Sequence, residues 1–267
     1  MKKQHVLIGT DKMVGRPIRL NQQTLLPKEG KEYAELMFIG DVHLGSPQYD
    51  MKRFRAMIDY CLQKKLYVLL MGDLIEMATR DSVGAGVYEQ DSIGQCQYER
   101  MLEILQPLAD AKLILGTHRG NHEERVYRAT GVDIAKSFAR ELKVKYLADA
   151  CWNAFKVGKQ VYTIYSLHGR TGSRFDGTAL LAVERISTSF FADIVAMGHT
   201  HKCVNSIVLM QKVKNGIVSE HKKHLVLTGG YLKYDGGYGQ TVGLPISKLG
   251  SPKVKLFSTR HDINTSW

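Results

Sequence analysis

Leu36-Met37-Phe38-Ile39-Gly40-Asp41-Val42-His43 sets four apolar residues against a glycine and two polar side chains. An unbroken apolar run of this length suits a strand buried on both faces. The same order recurs along the chain. Residues 66–71 lead into Gly72-Asp73, Leu113-Ile114-Leu115 into Gly120-Asn121-His122-Glu123, residues 161–167 into His168-Gly169, and Asp193-Ile194-Val195-Ala196-Met197 into Gly198-His199-Thr200-His201. A further apolar run, Leu225-Val226-Leu227, lacks such an ending. Between the runs the spacing predicts helices: Asp50 is placed to cap one whose Phe54, Met57, Ile58, Cys61 and Leu62 share a face. Residues 98–108, 132–142 and 178–190 are spaced likewise. Strands alternating with helices predict an α/β fold with buried sheet.

The five polar endings all fall at the carboxyl end of a predicted strand, where ligands bind in open α/β sheets. They are therefore expected to meet in space. In Asp41-x-His43 and His199-x-His201, alternate residues of an extended chain point the same way, so each pair can serve one site. Two Asp, one Asn and four His make a mixed oxygen and nitrogen donor set without thiolate. Such a set favours Mn²⁺, with Fe or Zn²⁺ as alternatives, over Mg²⁺ or Ca²⁺. Seven donors exceed the needs of one ion. They suit two divalent ions ~3.5–4 Å apart with Asp73 bridging, an arrangement that clamps both oxygens of an in-line phosphoryl displacement.

In this order, Asp-x-His, Gly-Asp, Gly-Asn-His-Glu, His-Gly and Gly-His-x-His resembles the signature of the calcineurin-like metallophosphoesterase superfamily. The resemblance covers Gly40 to His201. It implies a double β-sandwich flanked by helices, with one metal held by Asp41, His43, Asp73 and His201 and the other by Asp73, Asn121, His168 and His199. It also implies hydrolysis of a P–O bond by a metal-bound hydroxide, with His122 protonating the leaving oxygen. Arg119-Gly120-Asn121-His122-Glu123 is similar to the protein Ser/Thr phosphatase branch, where a carboxylate three residues after the bridging Asp, here Glu76, orients the catalytic imidazole. The chain departs from that branch in Gly72-Asp73-Leu74-Ile75-Glu76-Met77, which lacks its Asp-Arg-Gly ending, and in Asp41-Val42-His43-Leu44, which lacks its Gly. Some members of the superfamily are binding scaffolds without metal chemistry; here every ligand position and the acid are filled. Arg170 and Arg174, just after His168, are candidates for bidentate contacts to a substrate phosphate. His5, His118, His221, His224 and His261 are read as surface or satisfied core residues.

The chain has 267 residues, 37 Lys+Arg against 26 Asp+Glu, and 44% hydrophobic residues. That composition excludes collagen, coiled coil and wholesale disorder. The expectation is a single domain over 1–267, with a motif core at 36–201 and an extended basic segment at 202–267. The charge is uneven: +3 in residues 1–35, +1 in 36–200 and +7 in 201–267. A basic flank suggests an anionic partner, so a phosphodiester such as nucleic acid or a nucleotide is the expected substrate, with a small-molecule phosphomonoester as the alternative. The oligomeric state is left open. No apolar stretch reaches the ~20 residues of a membrane span, and the basic N-terminus is followed by too short an apolar run for a signal peptide. A cytoplasmic protein is expected, with Cys61, Cys96, Cys151 and Cys203 as reduced thiols. Residues 77–97 are read as a long functional or mobile loop carrying Arg80 and Tyr88, and residues 231–252 as coil wrapping the domain.

Overall fold

The structure, a computed structural model, describes residues 20–266 apart from 81, 83–85, 173–174 and 244. One six-stranded sheet runs in the order β1 (Leu20–Leu25), β6 (Ala150–Val157), β7 (Gln160–Leu167), β8 (Ile194–Met197), β10 (Ile217–Thr228), β9 (Cys203–Lys214). The other, also six-stranded, runs β12 (Ile263–Ser266), β11 (Lys253–Phe257), β2 (Tyr33–Ile39), β3 (Tyr67–Leu70), β4 (Ile114–His118), β5 (Tyr146–Ala148).

The apolar runs explain why the sheets stack. Along β2, Leu36 and Phe38 point into a core between the sheets, while Met37 and Ile39 point into a second core beneath helices. The next strand repeats the division, with Leu69 inward and Val68 and Leu70 toward the helices. Period-two alternation with both faces apolar requires cover on each side. Helices α1 (Met51–Gln63), α2 (Gly94–Asp110) and α4 (Ile134–Glu141) supply it over this sheet through Phe54, Ile58, Leu105 and Phe138. Over the other sheet α5 (Asp176–Ser187) does so through Ala179 and Val183. The result is a double β-sandwich flanked by helices, as the motifs imply. Asp50 caps α1 as expected, its Oδ1 accepting from the Arg53 N–H at 3.0 Å.

Two parts differ from the sequence reading. A helix, α3 (Asn121–Thr130), starts on the Asn-His-Glu motif itself; its strongly polar sequence hides an apolar stripe too thin to read. Half of 202–267 is strand rather than an extended segment: β9 and β10 complete one sheet and β11 and β12 the other. Lysines at alternate positions of Lys253-Val254-Lys255-Leu256 supply charge without breaking the two-residue period, and Val254 and Leu256 enter the core between the sheets. Several basic groups are also engaged internally. Lys223 is 1% exposed, and its Nζ donates to the carbonyls of Ser187 and Phe190 at 2.7 Å each, closing the end of α5. Lys253 pairs with Glu35 at 2.9 Å and Lys202 with Asp176 at 3.2 Å.

The 77–97 stretch is tied down at its end by the buried Gln97, which accepts from the Met77 N–H at 2.8 Å and donates to the Ser92 carbonyl at 2.7 Å. A short helix, α6 (Tyr238–Thr241), interrupts the coil of 231–252. Among the described residues no helix is long and apolar enough to cross a membrane.

Candidate metal centre

All five polar endings emerge on one side, where the carboxyl ends of β2, β3 and β4 in one sheet face those of β7 and β8 in the other. The loops interlock through backbone. The N–H groups of Val42 and His43 donate to the Asp73 carbonyl at 2.8 and 3.0 Å, and Tyr231 N–H to the Asp41 carbonyl at 3.0 Å. Glu123, 1% exposed, joins the β3 loop to the start of α3. Its carboxylate accepts from the N–H groups of Gly120, Asp73 and Leu74 at 2.9, 3.0 and 2.8 Å.

The backbone departs from the extended pairs expected at Asp41-x-His43 and His199-x-His201. Asp41, His43, Asp73, His199 and His201 all have φ between 49° and 68°. These are five of the eleven described non-glycine residues with positive φ, a conformation that costs L-residues free energy and gathers at functional sites. The pairs converge through left-handed turns at strand ends, not through strand periodicity.

The side chains fall into two donor sets bridged by a third. Asp41, His43 and His201 offer atoms within 4.8 Å of one another, as do Asp73, His168 and His199, and His43 and Asp73 also do so with His122. Asp73 stands between the sets, its Oδ2 lying 3.2 Å from His168 Nε2 and 3.7 Å from His43 Nε2. Asn121 Oδ1 lies 3.0 Å from His168 Nε2 and 2.7 Å from His199 Nδ1. The far ring nitrogens are anchored, His168 Nδ1 to the Met71 carbonyl at 2.8 Å and His43 Nδ1 to Glu76 Oε2 at 2.9 Å. This anchoring aims each Nε2 inward, as metal-ligating imidazoles require. Asp41 Oδ1 and His43 Nε2 are buried without a hydrogen-bond partner. Buried orphans are costly, and a cation among these oxygen and nitrogen donors would satisfy both. The residues therefore fit divalent metal.

The charges of the cluster act strongly on one another. Burial alone would push the Asp73 carboxyl up, yet the charges of His168 and His122 hold it well below the usual carboxylate range. Burial likewise opposes protonation of His168, but Asp73 and Asp41 lift its imidazole to about 10. Burial and then the charge of His168 push His199 down to about 4. Metal must displace protons from such a set, so binding strengthens as pH rises.

His122 borders the cluster rather than completing a donor set around Asn121. Its Nδ1 donates to the Glu76 carbonyl at 2.8 Å and lies 3.4 Å from Glu76 Oε1. Its Nε2 stands 3.9 Å from Asp73 Oδ2. Against the cost of burial, Asp73 and Glu76 raise the imidazole to about 9. Glu76 thus touches His122 mainly through its backbone, while its carboxylate makes the shorter bond to His43. Arg170 is exposed at the rim and pairs with Glu124; Arg174 lies outside the described residues. The sequence reading missed Arg125, whose Nη2 sits 3.3 Å from His122 Nε2, and Arg128 one turn on. Their positions four and seven residues after Asn121 would have revealed them had α3 been read as a helix.

No family model matches the sequence, and no curated protein does. Among solved structures, a conserved protein of Streptococcus pneumoniae described as a predicted phosphoesterase is 13% identical, with 87% of this chain and 88% of that one covered and a TM-score of 0.39. A single mutant of Vps29 from Entamoeba histolytica is 17% identical, covering 87% of this chain and 97% of that one at a TM-score of 0.38. Wild-type Vps29 of the same organism, complexed with zinc, is 16% identical over the same shares, with a TM-score of 0.35.

Proposed function

We propose that this protein is a metal-dependent phosphoesterase of the calcineurin-like kind. The observation that carries the reading is the pair of donor sets flanking Asp73, whose Oδ2 lies 3.2 Å from His168 Nε2 in one and 3.7 Å from His43 Nε2 in the other, with Asp41 Oδ1 and His43 Nε2 buried and unsatisfied. Asp41, His43, Asp73 and His201 would hold one divalent ion and Asp73, Asn121, His168 and His199 a second, Mn first, with Fe or Zn as alternatives. Bound there, the ions supply Lewis acidity toward the phosphoryl oxygens and activate water.

The protein's own groups account for the remaining steps. His122, fixed through Nδ1 on the Glu76 carbonyl, presents Nε2 toward the metal centre. From there a proton on Nε2 can pass to a leaving oxygen. Glu76 orients His43 and supports His122. Arg170 lies where it can meet a phosphate entering the cleft.

For substrate, a phosphodiester of the nucleotide or nucleic-acid kind is favoured by the arginines around the mouth. A small-molecule phosphomonoester is the second reading, favoured by the burial of Lys223 and the internal pairing of Lys202 and Lys253, which remove part of the basic flank. The test is metal analysis of the purified chain together with a panel of chromogenic mono- and diesters assayed with Mn, Fe or Zn. Bound divalent metal and chelator-sensitive turnover are expected. A chain that binds none of these metals and cleaves none of the esters would refute the reading.

A further inference from the structure

Asn121, Arg125 and Arg128 are spaced four and three residues apart on α3, so they share one helix face. Arg128 stands ~10 Å beyond Asn121 along the axis at ~1.5 Å per residue. With Arg170 and His199 they line a cleft of about 700 Å³ whose inner end, at Asn121 and His199, is the metal centre itself. The wall of this cleft is unevenly charged. Arg128 and Arg170 share the single carboxylate of Glu124, Arg128 at 3.0 Å, while Arg125 donates to the hydroxyl of Ser82 at 2.6 Å and its Nη2 lies 3.3 Å from His122 Nε2. The Arg128 and Arg170 side chains remain 64% and 58% exposed, and both residues line the cleft. Exposed ion pairs of this kind add little to stability. Guanidinium forks match phosphate oxygens.

We propose that this arginine-lined cleft is a second anion subsite, which takes a phosphate of the substrate other than the one hydrolysed. The proposal rests on the phosphoesterase reading and names its substrate class: compounds with two phosphates, joined either through a sugar, as at the end of a nucleic-acid strand, or directly, as in a nucleoside diphosphate. Arg128 lies too far along α3 from Asn121 to serve the phosphate at the metals, and pairs through Glu124 with Arg170, while Arg125, 3.3 Å from His122 Nε2, stands between the subsite and the centre.

The test compares the Mn-loaded full chain on thymidylyl-thymidine, which has one phosphate, on the same dinucleotide carrying a 5′-phosphate, and on thymidine diphosphate. The expected result is a ~10-fold or larger advantage in kcat/KM, carried mainly by KM, for one of the two-phosphate substrates; which one it is distinguishes strand end from diphosphate. Arg128→Gln and Arg170→Gln should each shrink that advantage, and Glu124→Gln, which removes the competing carboxylate, should widen it. No advantage in the parent, or an equal fall on all substrates in the Arg and Glu variants alike, would overturn the proposal and mark the three side chains as a structural network. Should no ester be cleaved with any metal, the phosphoesterase reading fails by itself. Calorimetry of inorganic pyrophosphate with the metal-free chain then decides the subsite: binding weakened ~10-fold by Arg128→Gln upholds it, and absence of binding rejects it.

Discussion

Asp73 touches both donor sets through one oxygen and fixes the start of α3 through the other, which accepts from the His122 N–H at 2.9 Å. Asp73→Asn keeps that acceptor but removes the charge between the sets. Metal content should fall at both sites and turnover should be lost while circular dichroism stays native; near-normal turnover with metal bound would contradict a shared ligand. His122 makes the opposite prediction because it lies outside both proposed ligand sets. His122→Asn should keep metal content and lower kcat by ~10²–10⁴-fold, with a smaller loss for p-nitrophenyl esters, whose leaving group needs little protonation. Equal losses for good and poor leaving groups would rule out proton donation by this residue. That these residues would meet was legible in residue type and order, because the ligand candidates sit at strand ends that are marked locally by an apolar run and a glycine. The shorter bond of Glu76 to His43 was not, since it depends on how loops 33 residues apart fold onto each other.

At the scale of elements, the site exists because the ends of β3 and β4 approach until their backbones touch. Gly72 has φ +89°, and a Cβ there would lie 2.5 Å from the Gly120 nitrogen. That contact is backbone on backbone and has no flexible neighbour to yield. Gly72→Ala should therefore cost about 3 kcal/mol and separate Asp73 from Asn121, with metal content falling along with stability. Gly177→Ala on α5 is the control: open space surrounds that position, and the change should leave stability equal or slightly higher. Chemical denaturation of both variants would decide the matter, and equal effects would dismiss the close-approach argument. Strands β2, β3, β7 and β8 announced themselves as apolar runs. Helix α3 did not, because Asn121-His122-Glu123-Glu124-Arg125 spends its side chains on the site and the cleft, leaving Val126 as its one buried apolar residue.

Across the whole molecule, His118 joins the two sheets. Its ring is fully buried on β4, bonded through Nδ1 to the Ala148 carbonyl at 2.9 Å and through Nε2 to Ser166 Oγ on β7 at 2.7 Å. Burial depresses its imidazole from 6.5 to about 4. The folded protein therefore refuses a proton that the unfolded chain accepts, so the stability His118 supports is complete above about pH 6.5 and is lost as pH falls toward about 4. The loss amounts to roughly 2–3 kcal/mol. In metal-free urea titrations, the gap in stability between the parent and His118→Gln should narrow by that amount between about pH 7.5 and about 4.5; a constant gap would show that His118 is not held neutral.

The sequence by itself determined the buried strands, the helices of ordinary amphipathic spacing and the set of seven ligand candidates with its neighbouring imidazole. Each of these is written in residues a few positions apart, where apolar period and strand-end glycines act. Only the tertiary structure decided that 202–267 splits between two sheets, that Lys223 closes a helix instead of facing solvent, and that Arg170 meets Glu124 from 46 residues away beside Arg125 and Arg128. Those outcomes depend on which distant segments pack together, and a charged residue reads the same in the chain whether its partner turns out to be water, a helix end or a carboxylate across a cleft.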